Sequence, residues 1–330
     1  MEQWPEQHLS NNTVCDLDDV QLEVESFFSE LYGYEVMFFP YARSALFHLS
    51  VYYKIGRDQE IFIPRWSSHC LYNAFGLIGT PSVHIKAPKL ILVNHKWGYL
   101  HSAEGATENT PIIEDSVDSL ILNRKGLFKA NGDFEIISLA KLTGLPGGCI
   151  AFMKSKESKR VLTEVIDKKN NPELNEIFWY YKKKYMLNGK VNQHEFQISN
   201  QLEPLISRAT PDQLLNFKGI EKNYLEILKV ISKRYYQVLC YKSQLPLESQ
   251  VSFQNDNRVP TIIPVHVTKD MLLELSYKGI NLEKRTFDFN LNAFEPDYKS
   301  TYFMPIHIGV SDRHFEILIS TLFKQRNREI

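Results

Sequence analysis

The chain has 330 residues, of which 43% are hydrophobic and 23% charged, and its formal net charge is -1. This balance describes an ordinary globular protein and offers neither nucleic acid nor an anionic membrane surface a dominant field to bind. The length exceeds what one hydrophobic core usually serves, so a large domain over residues 1–245 and a small one over 246–330 are expected.

Residues 1–13 are polar and lack a basic stretch leading into an apolar one, and no later segment approaches the roughly 20 apolar residues of a membrane span. A soluble, unprocessed chain is expected. The cysteines, Cys15, Cys70, Cys149 and Cys240, are scattered and form no Cys-x-x-Cys pair. That pattern argues against a zinc site or disulfide framework and for a reducing cytoplasm.

Residues 18–31 carry Val20, Leu22, Val24, Phe27, Phe28 and Leu31 at nearly helical spacing, with Asp16, Asp18 and Asp19 at the end the dipole favours. Beyond Gly33 the pattern alternates: strand at 35–39, helix at 44–53, strand at 60–63 and helix at 67–77. Further strands are expected at 82–85, 90–93, 111–113, 134–138 and 149–153. Such alternation calls for an α/β fold with a mixed, mostly parallel sheet between helices. Residues 220–241, with Leu225, Ile227, Leu228, Ile231, Tyr235, Val238 and Leu239, read as a long bridging helix. A strand (261–267), a helix (269–278), a strand-like turn and a last helix (311–323) then make a small α+β unit.

The most informative segment is the apolar strand ending in Ser138-Leu139-Ala140-Lys141 and running into Gly147-Gly148. A lysine there leaves the sheet at the edge where α/β folds bind ligands. Desolvation by its apolar neighbours lowers the pKa of such an amine and makes it a nucleophile toward an aldehyde; a solvated loop lysine is the bland alternative. A second strand ends in Glu114-Asp115, followed by Asp118. Asp115 is placed to face a buried cationic nitrogen, or else the pair caps a helix. A third segment, Tyr41-Ala42-Arg43-Ser44, opens a helix whose N-terminus suits a phosphate, with Arg43, Ser44 and Ser138 as further donors, although Ser44 also reads as a plain N-cap. A fourth, Arg65-Trp66-Ser67-Ser68-His69, opens another helix at a strand end; its Trp66 and His69 are able to cover a planar ring or simply to pack in the core.

In order along the chain, Ala42-Arg43-Ser44-Ala45-Leu46, Ile61-Phe62-Ile63-Pro64, Glu114-Asp115, Ser138-Leu139-Ala140-Lys141, Gly147-Gly148-Cys149-Ile150-Ala151 and Met304-Pro305-Ile306-His307 resemble the segments of the DegT/DnrJ/EryC1/StrS sugar aminotransferases. The resemblance implies a fold type I enzyme dependent on pyridoxal 5'-phosphate. Lys141 would hold the cofactor, Asp115 would pair with the pyridine nitrogen, and Ala42, Arg43, Ser44, Ser68, His69, Asp118 and Ser138 would complete the cofactor site. It implies amino transfer from an amino acid such as glutamate to a keto-sugar nucleotide, in amino-sugar, cell-surface polysaccharide or O-antigen biosynthesis, by a cytoplasmic homodimer without a metal.

The chain departs from the family at Tyr41-Ala42-Arg43, where a Ser-Gly-Thr turn is common, and at Asp118, where Gln or His is usual. A common family variant carries its lysine two positions later, at Thr143 here, but Lys141 aligns Gly147-Gly148 without a gap. A sugar dehydratase of the same fold, with histidine in place of the lysine, and a catalytically silent sugar-nucleotide-binding protein are the alternatives. Tyr180, Tyr181, His194 and His307 are candidate cleft residues.

Overall fold

A computed structural model describes residues 17–84, 86–107, 109–143, 147–166, 206–209, 220–245 and 257–323. Tyr180, Tyr181 and His194 lie outside them. In chain order the elements are α1 (Leu17–Tyr32), β1 (Glu35–Phe39), α2 (Ala42–Tyr52), β2 (Glu60–Phe62), α3 (His69–Gly76), β3 (Thr80–Ser82) and β4 (Leu90–Asn94). There follow β5 (Ile112–Asp115), β6 (Ser119–Ile121), β7 (Phe134–Ser138), α4 (Leu139–Thr143), β8 (Cys149–Met153), α5 (Lys156–Val165) and the long α6 (Ile220–Leu239). The chain continues through β9 (Arg258–Pro260), β10 (Ile262–Val265), α7 (Lys269–Tyr277), β11 (Lys284–Asp288), β12 (Tyr298–Pro305) and α8 (Asp312–Leu322).

Seven strands form the central sheet in the order β1-β8-β7-β5-β4-β2-β3. Only β8 runs against its neighbours β1 and β7; the remaining pairs are parallel. Both faces are covered, which is why the strands read as apolar runs rather than alternating ones. The register shows it: Val36, Phe38, Ile150 and Phe152 enter one core with Phe28 of α1 and Ile231 of α6, while Met37, Phe39, Ala151 and Met153 enter another with Leu46 of α2, Phe75 of α3 and Leu162 of α5. Each buried Phe or Leu contributes roughly 1.5–3 kcal/mol to this three-layer packing.

The first core also takes in Phe315, Leu318 and Leu322 of α8, together with Ile231 and Tyr235 of α6. Arg234 of α6 donates to the carbonyls of His307 and Val310, both at 2.6 Å. A three-stranded antiparallel sheet, β10-β12-β11, lies in the C-terminal part.

Three expectations shift. The strand expected at 82–85 is β3, which ends at Ser82; it is an edge strand, where Pro81 is tolerated because no ladder donor is needed on the open side. The strand-like turn is a full antiparallel pair, β11 with β12, hidden in the sequence because much of it is exposed and carries no clean alternation. Finally, β6 pairs with β9 across the division expected at residue 245.

Candidate active site

The parallel strands β1, β2, β4, β5 and β7 end at one edge of the sheet, where Asp115, Ser138 and Lys141 lie. Asp115 ends β5 and Ser138 ends β7, two strands paired in register. Because α4 starts directly after Ser138, Lys141 returns over the strand end, with its N–H donated to the Ser138 hydroxyl at 3.3 Å. Lys141 Nζ reaches Asp118 Oδ1 at 2.7 Å.

Alternation along β5 separates the two acids. Asp115 shares the α2/α3 face with Ile113, whereas Glu114 points to the opposite face, so only Asp115 serves the edge where Lys141 lies. No helix follows either residue, which removes the capping alternative. The Asp115 carboxylate is buried and accepts the Val117 N–H at 3.2 Å. Burial pushes its pKa up to about 7, against the opposing pull of Lys141 and with a further push from Asp118.

Lys141 corrects the sequence expectation. Burial does draw its ammonium down, but the Asp118 carboxylate outweighs that, through charge and hydrogen bond, with Asp115 and Cys70 adding to it, and the net direction is up. The amine is held charged, not activated as a neutral nucleophile.

Asp118 is itself fixed. Its second oxygen accepts the N–H of Trp97 at 3.0 Å, and Trp97 has a left-handed φ of 62°. The Trp97 indole N–H donates to the carbonyl of Thr286 at 3.0 Å. Next to it Gly98, at φ 88°, has no room for a side chain: a Cβ would sit 2.6 Å from the Asp118 carbonyl oxygen and 2.5 Å from Pro260 Cα.

The phosphate-type corner lies at the end of β1. The first α2 bond runs from Ala45 N–H to the Tyr41 carbonyl, leaving the N–H groups of Ala42 and Arg43 outside the helical ladder. Ser44 is buried, and its hydroxyl accepts the Tyr41 N–H at 3.2 Å and donates to Tyr41 O at 2.7 Å, so that group is engaged in capping its own helix. The glycine pair after Lys141 closes on this corner: Gly148 donates to Pro40 O at 2.6 Å, and a Cβ on Gly147 would meet the same oxygen at 2.8 Å.

The α3 start is more open. Ser68 and His69 are exposed, with Ser68 Oγ at 3.1 Å from Cys70 Sγ and His69 Nδ1 at 3.3 Å from Asn73 Nδ2. Trp66 is 70% exposed at φ 61° and covers nothing in the core; its carbonyl takes the Lys96 ammonium at 2.9 Å. His307 is buried and accepts the Gly309 N–H at 3.1 Å, which places it in the C-terminal packing.

A buried polar cluster that the sequence reading passed over supports the edge from behind. His95, Glu114 and Glu135 bring their ligand atoms within 4.8 Å of one another, a spacing a metal could use. Their atoms are engaged otherwise. Glu114 accepts from His95 Nε2 at 2.9 Å and from Gly132 N–H at 2.7 Å, while His95 Nδ1 accepts the His101 N–H at 3.0 Å. Glu135 takes Arg258 Nη2 at 2.5 Å, the Ser116 hydroxyl at 2.5 Å and the N–H of Phe128. Burial, reinforced by Arg258, holds His95 well below its ordinary range and so neutral, which suits a hydrogen-bonded orienter. A charged residue inside the apolar run Phe134-Glu135-Ile136 was the available signal. Arg258→Met should cost about 3 kcal/mol in urea unfolding, the low end for an orphaned buried charge because Ser116 and Phe128 still serve Glu135; a loss under 1 kcal/mol would show the pair to be unimportant.

The arrangement fits pyridoxal 5'-phosphate. A primary amine, a buried carboxylate whose pKa is raised by burial, and the N-terminus of α2 share one edge. The sequence matches the family model described as "Putative PLP-dependent aminotransferase" over residues 24–326. None of the curated proteins matches it in sequence. Among solved structures, the chain is similar to a "Putative sugar aminotransferase Spr1654 from Streptococcus pneumoniae, PMP-form", with TM-score 0.56 and 13% identity over 97% of this chain and 96% of the other. It also resembles a DegT DnrJ EryC1 StrS aminotransferase from Brucella abortus, with TM-score 0.56 and 12% identity over 94% and 91%. A third similar structure is the aminotransferase TlmJ from Streptoalloteichus hindustanus, with TM-score 0.53 and 14% identity over 97% and 91%. These likenesses establish the fold, and with the family model spanning almost the whole described chain, the protein belongs to the pyridoxal phosphate-dependent aminotransferases of fold type I.

Proposed function

We propose that this aminotransferase moves the amino group of an amino acid, glutamate in the first instance, onto a keto-sugar nucleotide, and that Lys141 is the residue that holds the cofactor. The observation that carries the reading is the meeting of Lys141 and buried Asp115 at the C-terminal edge of β5 and β7. The similar structure named as a putative sugar aminotransferase supports the substrate class.

Bound pyridoxal phosphate supplies an aldehyde that takes up the amino group and a cationic ring that draws electrons from the carbon being deprotonated. Asp115 would keep the ring nitrogen protonated, a charge-assisted contact worth roughly 1.5–3 kcal/mol. Ala42 and Arg43 N–H groups, the Arg43 side chain and Ser138 would hold the phosphate, with Ser44 stiffening the helix start. Ser68 and His69 would border the ring from α3. Once displaced, Lys141 would carry the proton between cofactor and substrate carbon through its Nζ. Lysine at position 141 favours amino transfer over dehydration, since the dehydratases of this fold use histidine there.

The reading includes a cytoplasmic homodimer, in keeping with the free thiols of Cys70, Cys149 and Cys240. No described helix is long and apolar enough to cross a membrane. The purified protein should be yellow, lose that band on addition of glutamate, and regain it when a nucleoside-diphosphate keto-sugar is supplied, with the amino-sugar product seen by mass. Sedimentation should show a dimer at micromolar concentration. A band unmoved by any amino donor would defeat the proposal, and so would recovery with simple keto acids but no keto-sugar.

A further inference from the structure

We propose that Asp118 is a positioning residue that clamps the Lys141 amine as an ammonium ion in the cofactor-free protein, so that breaking this pair gates covalent capture of the cofactor. The inference rests on Lys141 being the cofactor lysine, but the clamp itself is a property of the chain alone.

The geometry is that of a fixed carboxylate with a movable cation. Asp118 is buried and held at one oxygen by Trp97 N–H at 3.0 Å, leaving the other oxygen 2.7 Å from Lys141 Nζ. The carboxylate cannot follow the lysine, because Trp97 is anchored to Thr286 and the turn at Gly98 is packed against the Asp118 backbone and Pro260. Lys141, by contrast, is 36% exposed in its side chain and able to swing on its methylene stem. An amide at position 118 keeps one acceptor oxygen, which serves the Trp97 N–H, and carries no charge to hold the amine as an ammonium.

Other charges bear on the pair from every side. Asp115 at the end of β5 and Cys70 on α3 also favour the charged lysine, while Lys96 faces Asp118 from the loop after β4. Among these, Asp118 has the direct contact and the largest favourable effect. Capture needs the neutral amine. The ammonium first gives its proton to a buffer base, the amine then bonds to the aldehyde carbon, and the aldehyde oxygen leaves as water. A tighter clamp therefore makes uptake slower at neutral pH and carries its rise to higher pH.

The test is competitive acetylation of the cofactor-free, full-length protein by acetic anhydride from pH 6 to 11, with Lys141 and exposed Lys125 read by mass spectrometry. In the wild type, Lys141 should titrate above Lys125. Asp118→Asn keeps an acceptor for the Trp97 N–H; it should lower the Lys141 midpoint by at least one pH unit, a ten-fold faster labelling at pH 8, with Lys125 unchanged. Uptake of pyridoxal phosphate at pH 7, followed by absorbance, should quicken several-fold in the same variant. A wild-type Lys141 midpoint at or below that of Lys125 overturns the clamp without needing any variant, and equal uptake rates overturn the gate. Borohydride fixation of the cofactor at another lysine would instead overturn the assignment of Lys141 and leave the labelling result standing.

Discussion

Lys141→Ala should leave a folded protein that borohydride cannot link to its cofactor and that transfers amino groups at least 10²–10⁴-fold more slowly, the range expected from losing a positioned proton carrier alone. Folding should survive because Lys141 is 36% exposed in its side chain and makes its hydrogen bond to Asp118 at the surface of the site. Removing it does leave Asp118 without its cation, but Trp97 N–H still serves that carboxylate. Single-turnover reaction with glutamate separates the two roles of the amine. Covalent holding is read from the absorbance of the unreacted enzyme, and proton transfer from the rate at which the band decays. An added small primary amine should restore part of the second and none of the first. Wild-type rates in the variant would mean that the chemistry lies with another lysine.

Much of this site was legible in the sequence because strand ends are written in two kinds of residue. Phe134 to Ser138 and Ile112 to Asp115 are short apolar runs that stop on a polar group, and in a parallel sheet such stops all fall at one edge. The acids showed less of themselves. Glu114 and Asp115 are adjacent, so they had to point to opposite faces, yet only the partners across the fold, His95 for one and the Lys141 corner for the other, show which of them faces Lys141.

The protonation of Lys141 was not legible at all. Its apolar neighbours do act as expected, but the decisive carboxylate is 23 residues away, delivered by a turn whose shape depends on Trp97 and Gly98 in yet another loop. The β6 and β9 pair and the Glu135–Arg258 bridge were hidden for the same reason: each joins segments more than 120 residues apart through contacts that local periodicity does not encode.

Asp115→Asn should make the cofactor-free protein more stable at pH 8 while slowing it as an enzyme. The Asp115 pKa rises from 3.8 in an exposed chain to about 7 when folded. Below pH 4 the group is neutral in both states and folding bears no penalty. Between pH 4 and 7 the unfolded chain has released the proton and the folded one has kept it, so stability falls as pH rises, and above 7 the full cost of burying the anion is present. Since a tenfold change in proton affinity corresponds to about 1.4 kcal/mol, that cost is on the order of 4 kcal/mol. Asparagine avoids it, so variant and wild type should differ in urea unfolding by only about 1 kcal/mol at pH 4.5 and by a few kcal/mol at pH 8. The activity should move the other way. Without a carboxylate against the ring nitrogen, the deprotonation step loses roughly 1.5–3 kcal/mol, about ten- to a hundred-fold in rate. A variant that is slower and no more stable at pH 8 would show that Asp115 is not held as a strained anion. One that is more stable and equally fast would show that the carboxylate does not face the ring. Only the opposite movement of the two quantities fits a carboxylate kept buried for a cation that arrives with the cofactor.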